Sequence, residues 1–116
     1  MRYRRQRMQD LFREEISEII QREIRDPGLG FITILDVKLS EDLKYAKILY
    51  SVYGSDEEKQ KTVEALKRAR GYIKHLLGKR VQLRLMPEIT WEIDTQQDKI
   101  DKIEKILEDL SHAPEG

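Results

Sequence analysis

The sequence predicts an α+β domain in which helices cover one face of a three-stranded mixed sheet. Three observations predict it. Apolar residues recur at steps of 3 and 4 in the stretches 8–24, 63–77 and 100–110, which is the period of a helix face. Alternation with period 2 runs through 31–39, 43–53 and 81–93. A short turn separates the first two alternating stretches, whereas a long helical crossover joins the second to the third, so the sheet can hold an antiparallel and a parallel pair. The predicted order is helix, strand, strand, helix, kink, helix, strand, and then a C-terminal helix.

Taken in order, residues 1–7 form an Arg-rich arm, carrying Arg2, Arg4, Arg5 and Arg7 without an acid, that is flexible or partly helical. Met8, Leu11, Phe12, Ile16, Ile19, Ile20 and Ile24 then mark the apolar face of the first helix. Asp26-Pro27-Gly28 ends it, because proline disfavours helical geometry in the residue before it and glycine frees the turn. In the first strand Phe31, Thr33, Leu35, Val37 and Leu39 lie opposite Ile32, Ile34, Asp36 and Lys38. Ser40-Glu41-Asp42 turns the chain into the second strand, 43–53.

Ser55 or Asp56 supplies an N-cap, with acids in the first turn of the helix that follows. Val63, Leu66, Ile73, Leu76 and Leu77 carry one stripe through two helices that meet at Ala69-Arg70-Gly71. A glycine there costs about 1 kcal/mol relative to alanine and predicts a bend or a close backbone approach. Gly78 is the expected C-cap. The last strand is predicted over 81–93 with an irregularity at Pro87, and Ile100, Ile103, Ile106, Leu107 and Leu110 mark a final helix over 96–110 before a tail, 111–116. The domain proper is therefore 8–95.

At 116 residues the chain fits one domain, which buries about two thirds of the surface its unfolded chain exposes. It has no cysteine and only two histidines, so disulfides are excluded and a structural zinc site is not expected. No apolar run is long enough to span a membrane and no signal peptide is evident, which leaves a cytoplasmic protein as the expectation. No cofactor or metal is expected either.

The 22 basic and 22 acidic residues cancel in number but not in place. Lys67, Arg68, Arg70, Lys74, Lys79, Arg80 and Arg84 fall in a stretch that has no acid between Glu64 and Glu88, whereas residues 88–116 hold nine acids against three lysines. Lys67, Arg70 and Lys74 share one side of the helical path, and Arg68 and His75 point elsewhere. Together with the arginines of the arm, these residues are the candidate contacts to RNA phosphates, with Ala69 and Gly71 as a small surface beside them. A solvated basic face, or one paired with the acidic C-terminal helix, is the plainer alternative. His75 has no nucleophile or second histidine beside it, and Trp91, alternating with Ile89 and Ile93, reads as core.

The element order resembles the type II KH domain, an RNA-binding fold whose consecutive helices are joined by a Gly-x-x-Gly loop. That loop is missing. Ala69-Arg70-Gly71 stands in its place, as in the bacterial ribosome-binding factor A family, whose members carry an Ala-x-Gly kink. Residues 21–30, Gln-Arg-Glu-Ile-Arg-Asp-Pro-Gly-Leu-Gly, resemble the family's helix exit, residues 42–47 its hairpin, and residues 76–84 with 87–91 its last strand. The resemblance covers about residues 5–95.

It implies a monomeric, non-enzymatic factor that binds free 30S subunits rather than 70S ribosomes and assists late maturation of 16S rRNA near its 5′ end. Cold-shock adaptation and cooperation with assembly GTPases are also implied. From another class, the alternative is a protein-protein adaptor whose basic face meets an acidic protein surface. A nuclease would need metal ligands or an acid-base pair that the sequence does not offer.

Overall fold

The computed structural model describes residues 2–95 and, beyond them, Ile103, Glu104, Ile106, Leu107, Glu108 and Leu110. Helix α1 (Arg2–Arg22) leads into a hairpin of β1 (Phe31–Leu39) and β2 (Tyr45–Tyr53). Helix α2 (Asp56–Val81) then crosses over to β3 (Glu88–Ile93). β2 is the central strand, antiparallel to β1 and parallel to β3. This is the α+β architecture with a mixed sheet that the residue pattern predicts.

α1 buries Phe12, Ile16, Ile19 and Ile20, a stripe at helical spacing. It already begins at Arg2, so the arginines of the predicted arm occupy its first two turns. At its other end it stops at Arg22, before the Asp26-Pro27-Gly28 turn. β2 sends Ala46, Ile48, Tyr50 and Val52 into the core beneath the helices. β1 departs from strict alternation: Ile34 is buried, Leu35 is the extra residue of a β-bulge between Ile34 and Asp36, and Val37 and Leu39 are buried after it. The predicted split of β1 into odd and even faces therefore holds on each side of the bulge but changes phase across it.

Ser55 caps α2 with a complete capping box, its hydroxyl accepting from the Glu58 N–H at 3.1 Å while the Glu58 carboxylate accepts from the Ser55 N–H at 3.2 Å. Two helices were expected from here to about residue 77. Helical hydrogen bonding instead passes through Ala69-Arg70-Gly71 without interruption, and the two are joined end to end in one element of 26 residues. Burial of Leu66, Ile73 and Leu77 on both sides of the glycine offsets its low helix propensity.

Gly78 is not the cap. Gln82 is, in the left-handed conformation (φ 52), with its N–H donating to the Gly78 carbonyl. Gly78 instead lets the returning chain pack, since a Cβ there would lie 3.3 Å from Met86 Cγ. The strand predicted over 81–93 is correspondingly shorter: Val81 ends the helix, the Gln82 turn reverses the chain, and pairing starts only after the buried Pro87.

Two buried polar residues tie the helices to the hairpin. Gln9 Oε1 accepts from the Leu39 N–H at 2.9 Å, and Thr62 Oγ1 accepts from the Gly30 N–H at 3.0 Å. Among the described residues no helix is long and apolar enough to cross a membrane. The predicted final helix and tail lie mostly outside the described residues, and the six positions that are described are exposed, with helical backbone.

Candidate nucleic-acid interface

The middle of α2 and the edge strand β3 enclose a cleft of about 370 Å³ lined by Tyr50, Val63, Lys67, Arg70, Thr90, Trp91 and Ile93. Its position follows from the topology. Among the described residues β3 pairs with β2 alone, which leaves its outer edge without a strand partner, and α2 crosses above it with Lys67 and Arg70 one turn apart. Trp91 stands edge-on to Tyr50, with ring centroids 6.1 Å apart and planes at 88°. Its Nε1 is buried and has no hydrogen-bond partner among the described residues. Such a donor costs free energy unless a ligand or water accepts from it.

Further along α2 a second, more open groove of about 470 Å³ is lined by Gly71, Lys74, His75, Gly78, Lys79, Leu83 and Met86. A Cβ at Gly71 would meet nothing within 4 Å, so no contact inside the chain demands glycine at that position. Lys67, Arg70, Lys74 and Lys79 thus edge two adjoining depressions on one side of the molecule. Small residues lie between them.

The basic residues divide by what they already hold. Lys74 Nζ donates to Glu88 Oε1 at 3.0 Å, and Arg70 Nη2 stands 4.0 Å from Oε2 of the same carboxylate. The Lys74 ammonium, aided by Arg70, holds the Glu88 carboxyl below its usual pKa. Lys67 pairs loosely with Glu64 at 3.6 Å. Lys79 and Arg84 form no ion pair with a described residue. All five can exchange a solvated or singly held position for a phosphate.

Arg68 and Arg80 are committed within the chain. Arg68 is bidentate on Asp26. Arg80 lies between helices, 3.1 Å from Glu15, 3.5 Å from Glu18 and 3.7 Å from Glu23, and the Glu15 hydrogen bond leads in raising its pKa. Both read equally as phosphate ligands in the sequence, because their partners lie 42 and 65 residues away.

Arg4 and Arg7 line a separate cleft of about 400 Å³ with Tyr3, Met8 and Leu11, and no residue of α2 shares it. Arg7 also lies over the Tyr3 ring at 5.7 Å. Arg5 is half-buried on the same turns, and Arg2 begins the helix. The predicted basic set is therefore split between a row on α2 and a cluster on α1. Sequence reasoning missed Glu88 as the anion inside the row, and Trp91 as a wall of the cleft. An edge position in the sheet, which follows from a strand reached last by crossover, is the signal that could have exposed Trp91.

Comparison with known proteins covers nearly the whole chain. The family model described as "Ribosome-binding factor A" matches residues 4–107. A relative named ribosome-binding factor A from Dictyoglomus thermophilum is 47% identical over 111 residues, which is 95% of this chain and 92% of the relative. A solution structure from Thermotoga maritima, described as a candidate ribosome binding factor A, superposes with a TM-score of 0.70 at 35% identity, over 78% of this chain and 86% of that one. A Thermus thermophilus homologue, a homology model of ribosome binding factor A fitted into an electron cryo-microscopy map of a 30S complex, shares the fold with a TM-score of 0.62 at 24% identity, over 74% of this chain and 90% of that one. On the matched residues, and on the mixed sheet and helices that they build, this chain belongs to the ribosome-binding factor A family.

Proposed function

We propose that this protein binds the free 30S ribosomal subunit, and not the 70S ribosome, through the α2 face that carries Lys67, Arg70, Lys74 and Lys79, with Arg84 in the turn that follows the helix. The observation that carries this reading is the row of cations along two grooves, beside the cleft in which the buried Trp91 N–H lacks a partner. The Thermus thermophilus homologue fitted to a 30S complex supports the choice of partner. Cations spaced along one helix hold phosphates in sequence, and the neighbouring cleft offers an apolar wall and a hydrogen-bond donor to a nucleobase. The smallness of Gly71 lets the sugar-phosphate chain approach the helix.

The protein acts without catalysis, as a cytoplasmic monomer. By binding one conformation of 16S rRNA more tightly than another it shifts the balance during late maturation, including processing near the 5′ end. Energy input, where it is needed, comes from assembly GTPases. Arg2, Arg4, Arg5 and Arg7 on α1 form a second phosphate contact, and Arg68 and Arg80 contribute chiefly by holding the face in shape.

Glu88 favours a second reading, because its carboxylate shows that this face accepts an acidic side chain. An acidic protein surface could sit there in place of RNA. Co-sedimentation with 30S subunits and 70S ribosomes at low and moderate salt, with a Lys67/Arg70/Lys74 triple-alanine variant and competing rRNA fragments, separates the two. Salt-sensitive 30S binding that is displaced by rRNA and lost in the folded variant is expected. Binding that rRNA fragments leave unchanged would favour the acidic protein partner.

A further inference from the structure

The sheet face turned away from α1 and α2 has no cover among the described residues. Phe31 and Tyr53 are direct cross-strand partners and stand 79% and 84% exposed, and Leu35 in the bulge and the half-buried Leu49 continue the apolar surface. Farther along, Lys38 and Lys47 are also direct partners, and each already pairs with an acid of the sheet at 3.6 Å, Lys38 with Asp36 and Lys47 with Glu92. The described part of the C-terminal segment presents the complementary pattern. Ile103, Ile106, Leu107 and Leu110 fall on one stripe of a helical backbone and are each 57–66% exposed.

We propose that segment 96–110 folds back in its own chain as a helix across this open sheet face, laying Ile103, Ile106, Leu107 and Leu110 on Phe31, Leu35, Leu49 and Tyr53. The point of exit favours this occupant. β3 is parallel to β2, and its last pairing is Ile93 with Tyr50, followed by the Asp94 N–H donating to the Tyr50 carbonyl. The chain therefore leaves the sheet at the end that holds the Phe31–Tyr53 pair. Two strand spacings, about 10 Å, separate β3 from β1. The seven residues 96–102 reach about 24 Å when extended, enough to turn the corner.

Length agrees with the placement. From Ile103 to Leu110 a helix rises about 10 Å, and from Tyr53 to Leu49 a strand rises about 14 Å, so the two apolar surfaces match in extent. A helix that starts above Phe31 and Tyr53 runs toward Lys38 and Lys47. Tethering sets the local concentration of the helix near millimolar, which favours it over a second molecule at ordinary concentrations.

The chain has no cysteine, so engineered pairs report cleanly. Full-length protein carrying Ser51→Cys on the open face with Leu107→Cys is oxidised beside a control carrying Gln60→Cys, on the exposed surface of α2, with Leu107→Cys. The expected result is an intramolecular disulfide that forms at least ten-fold faster in the Ser51 pair, at a rate independent of protein concentration. Equal rates in the two pairs, or a disulfide-linked dimer as the main product, would overturn the proposal, the dimer pointing to a second copy on the face. In parallel, amide resonances of Thr33, Ser51 and Tyr53 are compared between wild type and a full-length Ile103→Glu/Leu107→Glu variant. They should shift while those of α2 stay in place, and unchanged resonances on the open face would also refute the docking.

Discussion

Arg68 closes on Asp26 through two hydrogen bonds, Nε to Oδ2 and Nη2 to Oδ1, each 3.0 Å long. Asp26 Oδ1 also accepts from the Gly28 N–H at 2.9 Å, so one carboxylate folds its own turn and fastens that turn to the middle of α2. Gly28 is required by the closeness of the result: a Cβ there would stand 3.1 Å from Arg68 Nη2 and 3.2 Å from the Lys61 carbonyl.

This pairing makes stability depend on acid. The Arg68 hydrogen bond first, and the Gly28 N–H second, hold the Asp26 pKa below its ordinary value. Below that ordinary value, about 3.9, the unfolded chain takes up the proton that folded Asp26 resists, so the contribution is complete above it and disappears as pH falls through the lower folded value. Asp26→Asn should lower the urea midpoint at pH 7, and the gap to wild type should narrow as the pH is brought to about 3. A gap that stays constant over that range would show that the charge of Asp26 is not what matters.

Glu88 competes with phosphate for Lys74 and Arg70. Glu88→Gln removes the competing charge and keeps the shape, and 30S affinity should rise by about three- to ten-fold at low salt, an effect that shrinks as salt increases. Co-sedimentation or fluorescence titration over a salt series measures it. Unchanged or weakened binding would place the RNA elsewhere.

Thr62 is fully buried, and its hydroxyl accepts from the Gly30 N–H while lying 3.1 Å from the Glu58 carbonyl. Thr62→Val keeps the volume but leaves the Gly30 N–H without that acceptor, at a cost of about 1–3 kcal/mol. Urea denaturation gives this directly. Because Thr62 lies outside both grooves, 30S binding by the folded fraction should not change.

Gly71→Ala separates fold from function. Open space surrounds the position, and alanine is the better helix former by about 1 kcal/mol, so the variant should be more stable by about that amount. Its 30S binding should nevertheless weaken if the glycine admits a partner's backbone. A variant that is both more stable and fully active would leave the glycine without a role at the interface.

The periods of the apolar residues were enough for the helices, the hairpin and the crossover, because those patterns are local and each element buries one face. The ends were harder to read. Gly78 follows the rule for a C-cap, yet a contact from Met86 uses that glycine, and a non-glycine residue, Gln82, takes the left-handed position four residues later. Charge was the least legible property. Arg68, Arg80 and Lys74 look alike in a basic stretch, and only the folded chain shows that Asp26, the glutamates of α1 and Glu88 are their respective partners. A salt bridge depends on tertiary neighbours, for which no periodicity exists.

The bulge at Leu35 gives β1 two reading frames. Before it even-numbered residues point inward, and after it odd-numbered ones do, because one unpaired residue is looped out between two halves that pair with consecutive residues of β2. Removing Leu35 would merge the frames. With the first half held in register, Asp36 would follow Ile34 directly and still face Leu49, so Val37 and Leu39 would keep their places opposite Ile48 and Ala46 in the core, and the Leu39 N–H would still reach the Gln9 side chain. Loss of the bulge residue would thus leave the attachment of α1 on the opposite side in place, whereas deletion of a paired residue such as Lys38 would turn Leu39 outward and break it.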